Sequence, residues 1–220
     1  MMKIITIIIA AGKGKRMKSK IPKQYLPFKN KTILYHSILP FLSHPKISDV
    51  ICSISKDDID LYKNSIDSLN ILEPVFGGVE RQDSVRLALE KIQQLNPDLV
   101  LIHDAARPFV TNETIDNIIY NLKKNKAVIP AITIFDTIKK VKNGSIEKTI
   151  SRENLYLAQT PQAFNYNLIH DLHKKYKNQK FTDDSSLCEK ENISVKIITG
   201  NINNFKITTK EDYERAKKHC

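Results

Sequence analysis

Ala10-Ala11-Gly12-Lys13-Gly14-Lys15-Arg16-Met17, followed by Pro22-Lys23-Gln24-Tyr25-Leu26, comes directly after the run Lys3-Ile4-Ile5-Thr6-Ile7-Ile8-Ile9. A short β-branched run that ends at glycines reads as a strand buried on both faces. A strand that empties into small residues and glycines makes a loop with a bare backbone, whose N–H groups can close around an anion. Lys13, Lys15, Arg16 and Lys23 add positive charge in the same place, and the pattern points to triphosphate binding. Neither common phosphate loop fits. Gly12 and Gly14 stand too close together for G-x-x-x-x-G-K-[ST], and Met17 occupies the third glycine position of G-x-G-x-x-G. A tight strand-to-helix turn with solvated lysines would share the G-x-G, so Arg16 and the Pro22-Lys23 pair carry the discrimination.

Outward from this loop, apolar strands alternate with helical stretches, which predicts βαβ units and a mostly parallel sheet. Strands are expected at Ile4–Ile9, Asp49–Ser55, Ile71–Val75, Leu99–His103, Ala127–Ile134 and Ser194–Thr199. Helices are expected at Ile33–Leu42, Lys56–Ser68, Ser84–Gln94, after Thr111 or Asn112 as cap, at Leu168–Tyr176 and at Lys210–Lys218. From Asp136 the pattern changes. Ile138 to Thr149 alternates around Asn143-Gly144, a strong hairpin signal. An isolated hairpin is marginal in water and needs something to pack on, for which a second subunit is a candidate. The reading is an α/β, single-domain chain over residues 1–220, with a Rossmann-like, mostly parallel twisted sheet flanked by helices and a β-arm at 137–158.

Composition narrows the class. The chain has 220 residues, enough for one good core, with 41% hydrophobic and 27% charged residues, ordinary for a globular protein. No apolar run approaches the ~20 residues that cross a bilayer, and the N-terminal isoleucines read as core rather than as a signal peptide. Cys52, Cys188 and Cys220 are few and scattered, with neither a disulfide framework nor zinc spacing, which fits a reducing, cytoplasmic setting. The formal net charge of +11 admits nucleic-acid binding, but the lysines are spread along the chain without interleaved aromatics. A basic surface that attracts anionic nucleotides and sugar phosphates explains it at less cost. The partners expected are small anions, without nucleic acid or membrane.

In open α/β sheets ligands bind at the carboxyl ends of strands. The glycine loop lies at one such end, and Asp104, after Leu99–His103, at another. A carboxylate beside a phosphate loop suits Mg²⁺, a hard cation that prefers oxygen; a helix-capping aspartate is the alternative. His103 reads as packing. Gly77-Gly78, with Arg81, Asp83 and Ser84 beyond, makes a second glycine turn or a plain connection to the next helix.

The motif A-A-G-x-G-x-R-M followed by P-K-Q-Y-L resembles the signature of the sugar-phosphate nucleotidylyltransferases. Within them the chain is most similar to the 2-C-methyl-D-erythritol 4-phosphate cytidylyltransferase family. The similarity continues in order through His103-Asp104-Ala105-Ala106-Arg107-Pro108, Gln159-Thr160-Pro161-Gln162, Thr182-Asp183-Asp184-Ser185-Ser186 and Asn204-Phe205-Lys206-Ile207-Thr208. It implies transfer of the cytidylyl group of CTP to a polyol phosphate with loss of pyrophosphate, aided by Mg²⁺ on Asp104. It implies Arg16, Lys23 and Lys206 as catalytic cations. Ala10, Ala11, Gly12, Gly14, Gly78, Ser84, Asp104 and Ala105 would join Arg16 and Lys23 around the nucleotide. Asp104, Arg107, Thr137, Arg152, Thr160, Thr182 and Lys206 would hold the acceptor, with Asp183 lining the same cleft and Asp184 capping the next helix. The arm would embrace the partner of a homodimer, bringing Thr137 and Arg152 to the neighbour's pocket. Val79 stands where relatives often carry an acidic residue. A second enzymatic domain fused in some members is not expected here. A ribitol-5-phosphate cytidylyltransferase, or a non-catalytic nucleotide- or RNA-binding protein on the same fold, would share part of these motifs. Ala105-Ala106-Arg107-Pro108 and Thr182-Asp183-Asp184 resemble the erythritol enzymes more closely.

Overall fold

The computed structural model describes residues 2–17, 19–67 and 69–219; Cys220 and the side chain of Lys15 lie outside that description. The isoleucine run is β1 (Ile4–Ala10). Ile4, Ile8 and Ala10 join one apolar cluster and Ile5 and Ile7 the other, so the strand is apolar throughout because both of its faces are covered. After the glycine loop come a small hairpin, β2 (Pro27–Phe28) and β3 (Lys31–Thr32), and α1 (Ile33–Leu42). Thr32 Oγ1 caps α1 by accepting from the Tyr35 N–H at 3.2 Å. The chain continues through β4 (Asp49–Ile54), α2 (Ile59–Ile66), β5 (Val75–Phe76) and α3 (Arg81–Ile92). It then forms β6 (Leu99–Asp104), α4 (Asn112–Leu122) and β7 (Ala127–Thr133). Next are the hairpin strands β8 (Ile138–Lys142) and β9 (Ser145–Ile150), then β10 (Tyr156–Ala158) and β11 (Gln162–Asn165). α5 (Tyr166–Lys175), α6 (Ser185–Lys190), β12 (Lys196–Thr199) and α7 (Lys210–Lys218) complete the order.

The main sheet has the order β10-β7-β11-β6-β1-β4-β5, with β12 also on β7. β1 runs parallel to both β4 and β6, pairing Ile8 with Cys52 on one side and with His103 on the other. The chain therefore leaves β1 in one direction and returns on its other side at β6. That reversal opens a crevice at the carboxyl ends of β1 and β6. Leu34, Ile38 and Phe41 of α1 pack on one face with Ile115 and Ile118 of α4. Val85, Leu89 and Ile92 of α3 cover the other with Ile169 and Leu172 of α5.

Several boundaries differ from expectation. The run Ile71–Val75 is not a strand; only Val75–Phe76 pair with β4. Pro74 has no N–H for a ladder, which keeps the residues before it out of the sheet. The stretch expected as one helix from Lys56 divides into a short 3₁₀ turn at Lys56–Asp58 and α2, and its expected end, Ser68, lies outside the described residues. α3 begins at Arg81 rather than Ser84, because Asp83 Oδ2 accepts from the Glu80 N–H at 3.3 Å and closes the first turn. β10 and β11 lie antiparallel to β7, and β11 also to β6, so an otherwise parallel sheet carries an antiparallel insertion. The hairpin turns at Asn143 and Gly144, with φ of 51° and 80°, the type I′ geometry that matches strand twist. β8 and β9 pair with each other and not with the main sheet. The last three residues of the expected arm, Tyr156–Ala158, belong to the main sheet instead.

Candidate active site

Ala10, at the end of β1, leads into a loop held from below by one side chain. Gln24, buried, donates through Nε2 to the carbonyl of Ala10 at 2.6 Å and to that of Gly12 at 3.1 Å. With its carbonyls turned to Gln24, the loop keeps its N–H edge for a ligand. Gly14 adopts a positive φ of 58°, the conformation glycine reaches without strain. Lys23 Nζ donates to the Ile207 carbonyl at 2.6 Å, so the loop, the Lys23 turn and the Lys206 segment form one wall. Burial, then Lys206 and Arg16, hold the Lys23 ammonium down to about 8 against the opposing pull of Asp104.

Opposite stands Asp104, the last residue of β6. Lys206 Nζ lies 2.8 Å from Oδ2, Arg107 Nε 3.5 Å from the same oxygen, and Arg81 Nε 3.5 Å from Oδ1. Burial pushes the carboxyl up, but these three cations outweigh it and keep Asp104 ionised well below the usual carboxylate range. Arg81 also reaches Asp184 Oδ2 at 2.7 Å, and Asp184 Oδ1 meets His173 Nε2 at 3.2 Å. Burial raises the Asp184 carboxyl, and Arg81 with His173 brings it down to about 2. A buried chain of alternating charge thus runs from the crevice to the junction of α5 and α6.

The cleft between the walls has a volume of about 310 Å³. It is lined by Ala10, Ala11, Gly12, Gly14, Arg16, Lys23, Gly78, Ser84, Asp104, Ala105 and Lys206, all expected at the site, and also by Gln24, Arg81 and Thr208. The second glycine turn is closely fitted. A Cβ on Gly77 would stand 2.5 Å from Ser84 Oγ and 2.6 Å from Ala11 Cβ. The Ser84 hydroxyl donates to the Glu80 carbonyl at 3.2 Å.

The remaining expected residues stand behind or away from this lining. Arg107 Nη1 donates to the Asn204 carbonyl at 2.7 Å. Thr160 is buried, and its Oγ1 accepts from the Asp104 N–H at 3.1 Å. Thr137 and Arg152 are exposed at the base of the β8–β9 hairpin, with Arg152 donating to the Phe135 carbonyl. Thr182 is exposed. Asp183 rather than Asp184 supplies the side-chain cap, and neither aspartate is in the cleft lining. Asp183 Oδ1 accepts from the Ser186 N–H at 3.2 Å and so caps α6, while Asp184 turns to Arg81. An ion pair with an arginine satisfies a fully buried carboxylate better than one backbone N–H does, which leaves the cap to Asp183. Sequence reasoning gave Gln24 no role, placed Arg81 only in the glycine turn, and missed Asp184 as the partner that holds Arg81. The Pro-Lys-Gln motif signalled the first; the other two are joined only by the fold.

Among the described residues no group of three His, Cys, Asp or Glu side chains could cage a metal. No helix there is long and apolar enough to cross a membrane. Cys52 and Cys188 are free and buried.

A family model described as "IspD: 2-C-methyl-D-erythritol 4-phosphate cytidylyltransferase" matches residues 4–219. The 2-C-methyl-D-erythritol 4-phosphate cytidylyltransferase of Clostridium botulinum (strain Okra / Type B1) is 45% identical over 218 residues, covering 96% of this chain and 95% of that protein. A "Bifunctional enzyme IspD/IspF" of Paramagnetospirillum magneticum is 41% identical over 217 residues, 99% of this chain and 56% of that protein. The chain thus spans about half the length of the bifunctional relatives it matches. The crystal structure of 4-diphosphocytidyl-2C-methyl-D-erythritol synthase from Anaerococcus prevotii DSM 20548 superposes with a TM-score of 0.86 at 33% identity, covering 99% of this chain and 98% of that one. The Francisella tularensis 2-C-methyl-D-erythritol 4-phosphate cytidylyltransferase does so at 0.85 and 32% identity, covering 99% and 100%.

Proposed function

The chain belongs to the 2-C-methyl-D-erythritol 4-phosphate cytidylyltransferase family, and from that premise we propose that it transfers the cytidylyl group of CTP to 2-C-methyl-D-erythritol 4-phosphate. The products are 4-diphosphocytidyl-2-C-methyl-D-erythritol and pyrophosphate, in the non-mevalonate route to isoprenoid precursors. The observation that carries the proposal is the meeting of Arg16, Lys23, Lys206 and Asp104 in one cleft at the carboxyl ends of β1 and β6.

An acceptor phosphate oxygen attacks the α-phosphorus as the bond to pyrophosphate breaks. Both reactants are anions, so catalysis consists of aligning them and neutralising charge as it builds on the α-phosphate. The bare N–H edge of the Gly12–Gly14 loop and Arg16 hold the triphosphate. Lys23, tied to the Ile207 carbonyl, presents its ammonium to the α-phosphate. Lys206 lies between Asp104 and the solvent side of the cleft and meets the acceptor phosphate. Gly78 and Ser84 line the cleft, and Gly77 lets Ala11 and Ser84 close tightly on its backbone, so this wall receives the flat pyrimidine.

The donor set suits Mg²⁺, which takes one or two carboxylates together with substrate phosphates rather than an all-protein cage. Asp104 is an ionised hard-oxygen donor in the lining, and it would hold the ion. Bound there, Mg²⁺ would supply charge neutralisation on the phosphate oxygens.

We place the reaction in a homodimer in the cytoplasm. The hairpin β8–β9 extends from the sheet, and Phe135, Tyr156, Leu157, Ile197 and Ile202 are exposed apolar side chains along β7, β10 and β12. A second copy would cover them and bring Thr137 and Arg152 to the acceptor side of its neighbour's cleft. Two free buried thiols are compatible with a reducing compartment. Pyrophosphate release from CTP, Mg²⁺ and 2-C-methyl-D-erythritol 4-phosphate, compared with ribitol 5-phosphate, tests the assignment. Turnover with the erythritol phosphate is expected, and a preference for the ribitol ester would replace the acceptor. Light scattering on the eluted protein reads the dimer.

A further inference from the structure

His103 is fully buried on the face of β6 that packs against α1, with its ring 4.9 Å from the Phe41 ring. An aliphatic side chain would fill this space without the cost of desolvating two ring nitrogens. Both nitrogens are used. Nε2 lies 3.0 Å from the Arg107 carbonyl, and Nδ1 lies 3.0 Å from Thr160 Oγ1. A carbonyl only accepts, so the ring proton sits on Nε2, and Nδ1 accepts a hydrogen bond from the Thr160 hydroxyl. The same Thr160 oxygen accepts from the Asp104 N–H at 3.1 Å. One directed chain results: Asp104 N–H to the Thr160 hydroxyl, Thr160 O–H to Nδ1, and Nε2–H to the Arg107 carbonyl. It ties together both ends of the turn that carries the Asp104 carboxylate and the Arg107 guanidinium, themselves 3.5 Å apart.

We infer that His103 is a positioning residue: by bridging the Arg107 carbonyl and the Thr160 hydroxyl, it fixes the turn that aims Asp104 at the cleft. This rests on the transferase reading above. A buried imidazole is suited to the task because it places one donor and one acceptor on opposite edges of a rigid ring. Outer-shell partners of this kind change activity by about 10–100-fold when removed.

The test compares two substitutions. His103→Phe keeps a ring against Phe41 and removes both hydrogen bonds. His103→Gln offers an amide N–H to the Arg107 carbonyl. His103→Phe is expected to lower kcat/KM by about 10–100-fold for CTP and acceptor alike, since Asp104 faces both. His103→Gln is expected to recover part of that loss. A packing role predicts the reverse order, since a flexible amide suits an apolar pocket worse than a phenyl ring. Parental kinetics in His103→Phe, or His103→Phe more active than His103→Gln, would overturn the inference. If the phenylalanine variant does not fold, His103→Leu takes its place under the same criteria. If the unsubstituted protein releases no pyrophosphate, the transferase reading fails separately. Crystal structures of parent and variant then decide: a displaced 104–107 turn supports positioning, and an unmoved one overturns it.

Discussion

Lys206 Nζ lies 2.8 Å from Asp104 Oδ2, closer than the Arg81 or Arg107 nitrogens at 3.5 Å. The Lys206 side chain is also the most exposed of the three cations, at 37% against 27% for Arg81 and 11% for Arg107. The arginines are held by Asp184 and by the Asn204 carbonyl, whereas Lys206 can exchange the carboxylate for a phosphate. Lys206→Met is therefore expected to lower kcat/KM by on the order of 10²–10³, the cost of losing one transition-state charge partner. The fold should survive, because two guanidinium groups still neutralise Asp104. Steady-state kinetics beside a thermal melt check this; a large drop in Tm with unchanged turnover would make Lys206 a structural residue.

Lys23 separates activity from stability. Its ammonium is lowered to about 8 in the folded chain from an ordinary 10.5. Between those values the unfolded chain holds the proton and the folded chain does not, so this group's contribution to stability rises with pH across that window. Below about pH 8 the folded state carries the unfavourable charge in full. Lys23→Met is thus expected to leave Tm unchanged or higher at neutral pH, while turnover falls by on the order of 10²–10³. The unsubstituted enzyme should lose kcat/KM for CTP as pH rises through about 8, and Lys23→Arg should move that limb upward. A pH profile without a basic limb near 8 contradicts the assignment.

Asp184 is 1% exposed and paired with both Arg81 and His173. Removing it leaves the Arg81 guanidinium, 27% exposed, with Asp104 at 3.5 Å as its remaining partner, so the loss is expected to stay below the ~3–5 kcal/mol of a stranded buried charge. Its carboxyl is lowered to about 2 from 3.8, so its contribution is complete above pH 4 and is lost as pH falls toward 2. Urea unfolding of Asp184→Ala at neutral pH should show the full loss, and at pH 2 the difference from the parent should shrink. Equal unfolding midpoints at neutral pH would exclude a stabilising role for this pair.

The parts of the molecule that were legible in the sequence are those written locally. β1 and its glycine loop follow from an apolar run ending at small residues. The cap at Thr111 accepts from Thr114, within one helical turn. α1 and α7 occupy the expected spans, Ile33–Leu42 and Lys210–Lys218, and Asn143-Gly144 marks its own turn. The rest depends on tertiary placement. Arg81 and Asp184 are distant in the chain and meet only when α3 and α6 pack on the same side of the sheet. β10 and β11 have three and four residues, too few for alternation to show. His103 read as packing because an apolar neighbourhood is visible in a sequence, whereas the Thr160 and Arg107 partners of its nitrogens are not.

Gly77 tests how closely the cleft wall at Ala11 and Ser84 is built. Its N–H donates to the Ile54 carbonyl at 2.8 Å, which fixes the backbone at the end of β4. An added Cβ would meet Ser84 Oγ at 2.5 Å, Ala11 Cβ at 2.6 Å and Ser53 Oγ at 3.0 Å. A hydroxyl can rotate away, but the Ala11 methyl cannot, so the glycine loop itself must shift. Overpacking of this kind costs about 1–3 kcal/mol. Because the strain falls on Ala11 and Ser84, both in the cleft lining, it should also weaken nucleotide binding. Calorimetric titration of Gly77→Ala with CTP and Mg²⁺ is expected to show weaker binding together with a lower Tm. A variant that binds CTP as the parent does would mean that the pyrimidine does not rest on the wall formed by Ala11 and Ser84.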